Sequence, residues 1–313
     1  MFGSLLKAKS ATPKSPAPAS EPTASARPTR LTIAIHLANA PLTLTCGTRP
    51  DVVAEGHAAL TQEADKIVIR ERKNARESRP GCRVEVPRGA FVEVVSEFGG
   101  LTVFNFHGTL RARLKYGNAG VNHSDGQIRV VSGTGSVELE SMRGTLDVLT
   151  SSGNITARQI DAEVQAVSDS GRILLEQVNG PLVARSTNGS ITVRELRATA
   201  RLTARTGAIS VLGAERQLTV RTQSGDIMVE ASIVDHTTLE SHKGSIELRL
   251  GRHTDARIEA FARQGVVRAE RLTLAAGSGR RTAKSVLGEG RARLRAETGV
   301  GVIELSGPRS VVL

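Results

Sequence analysis

Two apolar positions recur together along most of this chain, two and four residues after a glycine. The first column holds Leu101, Ala119, Val137, Ile155, Ile173, Ile191, Ile209 and Ile227, and the second holds Val103, Val121, Leu139, Ala157, Leu175, Val193, Val211 and Val229. A spacing of two puts both columns on one face of a β-strand. The glycines themselves, Gly99, Gly117, Gly135, Gly153, Gly171, Gly189, Gly207 and Gly225, keep a spacing of eighteen without a slip. A fixed period of this length marks a solenoid, in which each unit buries its apolar face only against its neighbours. A second turn is expected nine residues past the glycine, at Gly108, Gly126, Gly144 and Gly180, with Ala162 and Ala198 in equivalent places. A second strand follows, with inward pairs such as Leu146/Val148, Val164/Ala166, Leu182/Ala184 and Leu218/Val220; Met142, Ile160, Val178 and Leu196 supply a further inward position between the strands. No helical spacing survives here. The fold expected is all-β, a single-stranded β-solenoid (β-helix) of 18-residue coils. Ten or eleven coils about 4.8 Å apart would make a rod on the order of 50 Å long.

Three regions are expected. Residues 1–29 form a basic, Pro-rich tail; its stretch "SATPKSPAPASEPTASARPT" has too few large apolar side chains to offset ordering entropy and is expected to be disordered. Residues 30–97 alternate in short runs such as "LTIAIHL" and "FVEVVSEFGG" and form a β-rich cap region. Residues 98–313 carry the repeats. Their phase slips late, where the step to Gly244 is nineteen and the next, to Gly265, is twenty-one. A Gly/Arg-rich interruption, "AAGSGRRTAKSVLGEG", and a last unit, "ETGVGVIELSG", follow. The cap closes one end; "VIELSGPRSVVL" is expected to close the other or to pair with a second copy.

Composition narrows the picture. With no Trp, one Tyr and six Phe, the core of this 313-residue chain must be built from Val, Ile, Leu and Ala. A formal charge of +11 favours anionic partners or a solvated basic surface, and residues 251–297 carry eleven Arg/Lys against five Asp/Glu. Cys46 and Cys82 are too few for a disulfide framework or a zinc site and read as small buried hydrophobes. No apolar run approaches the roughly 20 residues that span a bilayer, and the N-terminus lacks a secretory apolar stretch. A cytoplasmic protein is expected, peripheral to the inner membrane. Phe2, Leu5 and Leu6 beside Lys7 and Lys9 could hold such a tail to an anionic membrane surface.

Candidate chemistry is sparse. Ser96, Ser132, Thr150, Ser168, Ser186, Thr222 and Ser241 form a hydroxyl column three residues before the glycine. Seven equivalent hydroxyls single out no nucleophile and read as partners for backbone groups at a corner. The glycines lack the strand-to-helix setting of a phosphate cradle, and "GGxGxD" calcium repeats are missing. Glu140, Arg158, Glu176 and Arg194, on successive coils, read as a charge ladder. His236 and His242 lie near the phase slip without a Cys or a paired acid. No catalytic, cofactor or metal residue is assigned, and no small-molecule ligand. With no Trp and one Tyr there is almost no stacking platform for single strands, so specific nucleic-acid binding is not expected.

"CRVEVPRGAFVEVVSEFGGLTV" followed by the iterated "TSSGNITA", "SDSGRILL", "STNGSITV" and "TQSGDIMV" resembles the bacterial putative adhesin domain, a β-solenoid family of unknown function. The resemblance runs from about Arg30 to the C-terminus and implies the fold and no catalytic residues. A basic-apolar tail and Pro/Ser linker ahead of a solenoid is similar in layout to bactofilins, cytoskeletal polymers on the inner membrane. The functional expectation is a non-enzymatic scaffold or binding rod that self-associates through its ends and lies at the inner membrane. An adhesin-like surface or envelope binding module is the alternative, and an enzyme working on an acidic polymer along a basic groove is the third.

Overall fold

The computed structural model describes residues 31–63, 66–72 and 81–308. The tail expected over 1–29, with Phe2, Leu5, Leu6, Lys7 and Lys9, lies outside them. The described residues form 24 strands and no helix.

The repeat columns are vertical ladders. Ile155, Ile173, Ile191, Ile209 and Ile227 pair in turn across parallel strands, one repeat apart, and each is at most 1 % exposed. Each coil is folded flat. The strand after the glycine lies on one face, here face A, and the strand before the next glycine lies on face B. Inward residues of the two faces meet in a thin aliphatic core in which Phe106 is the only fully buried aromatic side chain among the described residues.

The two corners of the coil work differently. At the glycine corner each glycine sits on the one below: a methyl placed on Gly171 (φ 153°) would stand 2.1 Å from the carbonyl oxygen of Gly153. That closeness and that φ both exclude a side chain. The column of hydroxyls is buried beside it and donates to the carbonyl of the glycine one layer down, as in Ser132 to Gly117 (3.5 Å), Ser168 to Gly153 (3.4 Å) and Ser241 to Gly225 (3.1 Å). The second set of glycines places the other corner only in part: Gly180 and Ala198 fall in the breaks between Ile173–Val178 and Leu182–Asn188 and between Ile191–Leu196 and Ala200–Thr206. Gly126 and Gly144 lie inside long strands, Ala119–Thr134 and Val137–Ser152, and the chain bends three residues earlier. There Asn105, His123, Ser141, Gln159, Gln177 and Glu195 each hold a left-handed φ of 49–57°. One left-handed residue per coil turns the next side chain inward, which is how Met142, Ile160, Val178 and Leu196 come to be buried.

Thirteen parallel layers can be followed through the described residues, about 60 Å of stack. The excess over ten or eleven arises because strands before Gly99 stack in the same rod. The order of layers at both ends departs from the order of the sequence. Thr32–Leu37 lies between Lys66–Glu71 on its outer side and Phe91–Ser96 on its inner side, so the first coil is one layer in. At the far end Ala292–Ser306 lies between Thr237–Lys243 and the outer strand Ala256–Glu270. The C-terminal repeat, expected to close the rod, is therefore an inner layer; the chain skips a level at residues 251–255 and fills it last. The end layers are covered by reversed strands. Val53–Gly56 and Ala58–Glu63 run antiparallel to Cys82–Val86 and Lys66–Glu71, and Thr282–Leu287 runs antiparallel to Ala256–Glu270.

Each inserted coil is pinned by a carboxylate of the layer outside it. Glu71 Oε2 accepts the backbone N–H groups of Ala38 (2.7 Å), Asn39 (2.8 Å) and Ala40 (3.4 Å). Asp255 Oδ1 accepts those of Gly290 (2.7 Å) and Arg291 (3.2 Å). Partial burial pushes both carboxyls up, but the amide donations outweigh it and hold both below their ordinary values; Arg291 adds its charge at Asp255.

Two outcomes are expected. Ile191→Asp buries an unpaired charge in the Ile ladder and should abolish soluble protein, whereas Ile191→Val should fold at a cost of about 1 kcal/mol; a well-folded Ile191→Asp chain by circular dichroism would overturn the register. A carboxyl whose pKa is depressed by folding stabilises above its unfolded pKa and loses that contribution as pH falls through the folded value. From about pH 4 downward, amides 38–40 and 290–291 should therefore exchange hydrogen sooner than mid-rod amides. In Glu71→Gln and Asp255→Asn chains that pH dependence should vanish.

Candidate functional site

Some outward rows of the rod neutralise themselves. On face A, Glu176 lies between Arg158 (3.0 Å) and Arg194 (3.1 Å), so three members of the expected charge ladder pair. Glu140 makes no ion pair among the described residues, because the Arg158 guanidinium turns toward Glu176. Ion pairs this exposed contribute little to stability.

Face B is different. Its central outward row runs Val131, Leu149, Val167, then Arg185, Thr203 and Arg221, then Glu240 and Glu297, one residue per layer. The three aliphatic side chains are half-buried and the arginines are exposed. Beside this row stand Thr187, Arg205, Gln223 and His242. Together they line a groove of 740 Å³ running along the rod axis from Val167 to Arg263. A second groove of 470 Å³, lined by Arg111, Arg113 and Arg129 with Val131 and Leu149, continues it toward the N-terminal end.

The charges of the groove are unequally used. Arg221 holds Glu240 at 2.9 Å, and Glu297 is held by Arg295 (2.8 Å) and Arg263 (3.3 Å). Hydrogen bonds from Arg295 act first and outweigh partial burial, aided by Arg263, so the Glu297 carboxyl titrates below its ordinary value. Arg185 and Arg205 make no ion pair among the described residues, and their guanidiniums are available to a ligand. Ser186 lies beneath the groove, its hydroxyl buried at the glycine corner beside Gly189 and without a hydrogen-bond partner among the described residues. No Phe or Tyr lines this groove; the stacked pair Phe98–Tyr116 (centroids 5.2 Å apart) lies elsewhere, beside the glycine corner.

The eight glycines Gly99 to Gly225 form one vertical edge and no cradle. Cys82 is buried, Cys46 is half-buried, both are free thiols, and burial pushes both up in pKa. No three His, Cys, Asp or Glu side chains among the described residues gather as a metal site would need. No helix among the described residues is long and apolar enough to cross a membrane. Net charge counted along the chain does not reveal Arg185, Arg205 and Arg221. The signal that does is the column fourteen places past each glycine, which holds Val131, Leu149, Val167, Arg185, Thr203 and Arg221.

The family described as Toastrack DUF4097 matches residues 127–306. Among solved structures, a putative cell adhesion protein from Clostridium sporogenes is 8 % identical, with 89 % of this chain and 93 % of that chain covered at a TM-score of 0.22. A putative adhesin from Bacteroides fragilis is 10 % identical, with 88 % and 91 % covered at a TM-score of 0.24. No curated protein matches the chain.

Proposed function

The chain belongs to the Toastrack DUF4097 family, and from that premise we propose that it is a non-catalytic, adhesin-like binding rod whose face-B groove holds an extended anionic ligand. The observation that carries the reading is the pair of uncompensated guanidiniums, Arg185 and Arg205, in a groove where the remaining lining charges are paired. Guanidinium is the side chain best matched to carboxylate and phosphate oxygens, and a groove with walls concentrates its field.

The groove's carboxylates support binding over catalysis. A glycosidase-like pair needs one carboxyl whose pKa is raised so that it can donate a proton. Glu240 and Glu297 are adjacent in register but each is engaged by arginine, and Glu297 is held ionised. The covered ends support a discrete rod over an end-to-end polymer. A copy arriving at the N-terminal end meets short reversed strands carrying Glu55 or Glu63, and at the other end the strand carrying Lys284 covers Ala256–Phe261, the face-B half of the outer layer. Residues 2–9 add a tether: Phe2, Leu5 and Leu6 with Lys7 and Lys9 would bring the rod to an anionic membrane surface.

Dextran sulfate serves as a generic linear polyanion. Binding should weaken steeply with salt, and Arg185→Ala/Arg205→Ala should weaken it about tenfold, or about 1.4 kcal/mol; equal affinity of the double variant would overturn the assignment of the groove. For the tether, flotation with phosphatidylglycerol vesicles should be lost on deleting residues 2–9, and equal flotation of both forms would remove the membrane claim.

A further inference from the structure

Resting on the binding-rod reading, in which Arg185 and Arg205 are open to an anion, we infer that a second copy of this chain supplies that anion, its face A docked on face B with the rod axes opposed. Side-by-side docking leaves the ends of the rod untouched.

Leftover charge points there first. On face A, between Leu101 and Leu250, the outward rows three and five places past the glycine hold Arg158, Glu176, Arg194, Glu230, Glu247 and Arg249, all in ion pairs. Glu138 and Glu140, exposed and two places apart on Val137–Ser152, make no ion pair among the described residues. On face B, between Gly99 and Gly225, the rows twelve, fourteen and sixteen places past the glycine leave Arg113, Arg185, Arg201 and Arg205 in that state. Arg111 and Lys115 lie there over the rings of Phe91 and Tyr116, and Asp169 is the one carboxylate left without an ion pair among the described residues of these rows. The residual charge is thus negative on face A and positive on face B, which makes the chain complementary to itself.

Spacing fits as well. Glu138 and Glu140 are about 7 Å apart along their strand, and Arg185 and Arg205, one layer and two places apart, are separated by about 8 Å. Each carboxylate can meet one guanidinium.

Position sets the orientation. Counted from the N-terminal end, Glu138 and Glu140 lie in the fifth layer of face A. Arg185 and Arg205 lie in the eighth and ninth layers of face B. With axes opposed and the thirteen layers of each face fully overlapped, the fifth layer of one copy lies over the ninth of the other. The same placement sets the layer of Leu174 over that of Val167 and the layer of Leu212 over that of Val131, all half-buried aliphatic side chains. Parallel rods would have to slide three or four layers to bring the charges together.

Area is sufficient. Thirteen layers of strands about six residues long present about 60 Å by 20 Å, or about 1,200 Å², per face. A stable interface needs about 800 Å² from each partner. Because face A of one copy meets face B of the next, every pair leaves one face of each kind free, and growth continues as an open stack.

Analytical ultracentrifugation of the full chain at 50 mM salt tests this. The weight-average mass should climb past that of a dimer as concentration rises and should fall at 500 mM salt. Glu138→Arg/Glu140→Arg and Arg185→Glu/Arg205→Glu should each weaken association at least tenfold, and the isosteric Glu138→Gln/Glu140→Gln should weaken it too. An equimolar mixture of the two charge-reversed chains should restore it, since each supplies the charge that the other lacks. Excess dextran sulfate, by occupying Arg185 and Arg205, should disperse the stack. A mass that levels off at the dimer, association that survives either reversal, or a mixture no better than its components overturns the inference. A chain that stays monomeric while dextran sulfate binds through Arg185 and Arg205 also overturns it, and the binding rod then stands. If dextran sulfate does not bind through these arginines and reversing them leaves association unchanged, both fall.

Discussion

The rod depends on one close contact, the seating of each corner glycine on the carbonyl of the residue below, Ala40 under Gly99 and a glycine from Gly117 onward. A methyl group at Gly135, Gly153 or Gly225 would come within 2.1–2.2 Å of that oxygen. The contact acts as a register pin. If every coil must present a hydrogen atom there, every coil must return to the corner after the same number of residues. A slip by one would turn the aliphatic columns outward and the charged ones inward. The single extra residue before Gly244 is tolerated because it falls in the connection between Ala231 and Thr237, where neither face is being paired. The buried hydroxyls belong to the same device, since Ser132, Ser168 and Ser241 donate to glycine carbonyls at the corner.

This constraint explains which parts of the molecule could be read from the chain. The glycine corner, the inward pairs such as Val164/Ala166 and the hydroxyl column repeat with a fixed period, and periodicity survives without coordinates. The second corner did not yield, because its left-handed residues are Asn105, His123, Ser141, Gln159, Gln177 and Glu195. Only Asn105 and His123 are of types enriched in that region, and Ser, Gln and Glu hold the other four positions, so side-chain identity carried little signal. The conspicuous glycines three places on, Gly126 and Gly144, drew the turn to the wrong place. They are small because each would carry a methyl 2.0–2.3 Å from the carbonyl oxygen of the residue stacked below, and because each holds a positive φ, 130° at Gly126 and 100° at Gly144. The order of the layers was hidden too. Strand Ala292–Ser306 has the same pattern whether it ends the rod or fills a gap one layer in, because every parallel layer makes the same demands on its two neighbours.

Insertion at both ends has a physical logic. A solenoid laid down strictly in chain order ends on a bare parallel coil, a template for whatever strand arrives next. Threading the terminal coil one layer inward leaves a longer connection free to fold back as an antiparallel strand over the exposed edge. Glu71 and Asp255 sit where each inserted coil enters, and they hold its amides without a second copy being required.

With the inward rows committed to packing, recognition is confined to the outward ones, and charge must be counted in space. Residues 251–297 hold a large surplus of Arg and Lys, yet there Arg263 and Arg295 engage Glu297, Arg268 engages Glu304, and Arg291 engages both Asp255 and Glu289. Arg252, Arg257, Arg271, Arg280, Arg281, Lys284 and Arg293 make no ion pair among the described residues, but none of them lines the face-B groove. Arg185 and Arg205 come from an unremarkable part of the sequence, but their neighbours in the stack are Val167, Thr203, Thr187 and Gln223, none of which can neutralise them. In a stacked coil a residue's electrostatic environment is set one full repeat away in both directions. Where charge is left over is therefore a property of the columns, and midway along face B they leave Arg185 and Arg205 unpaired in the groove.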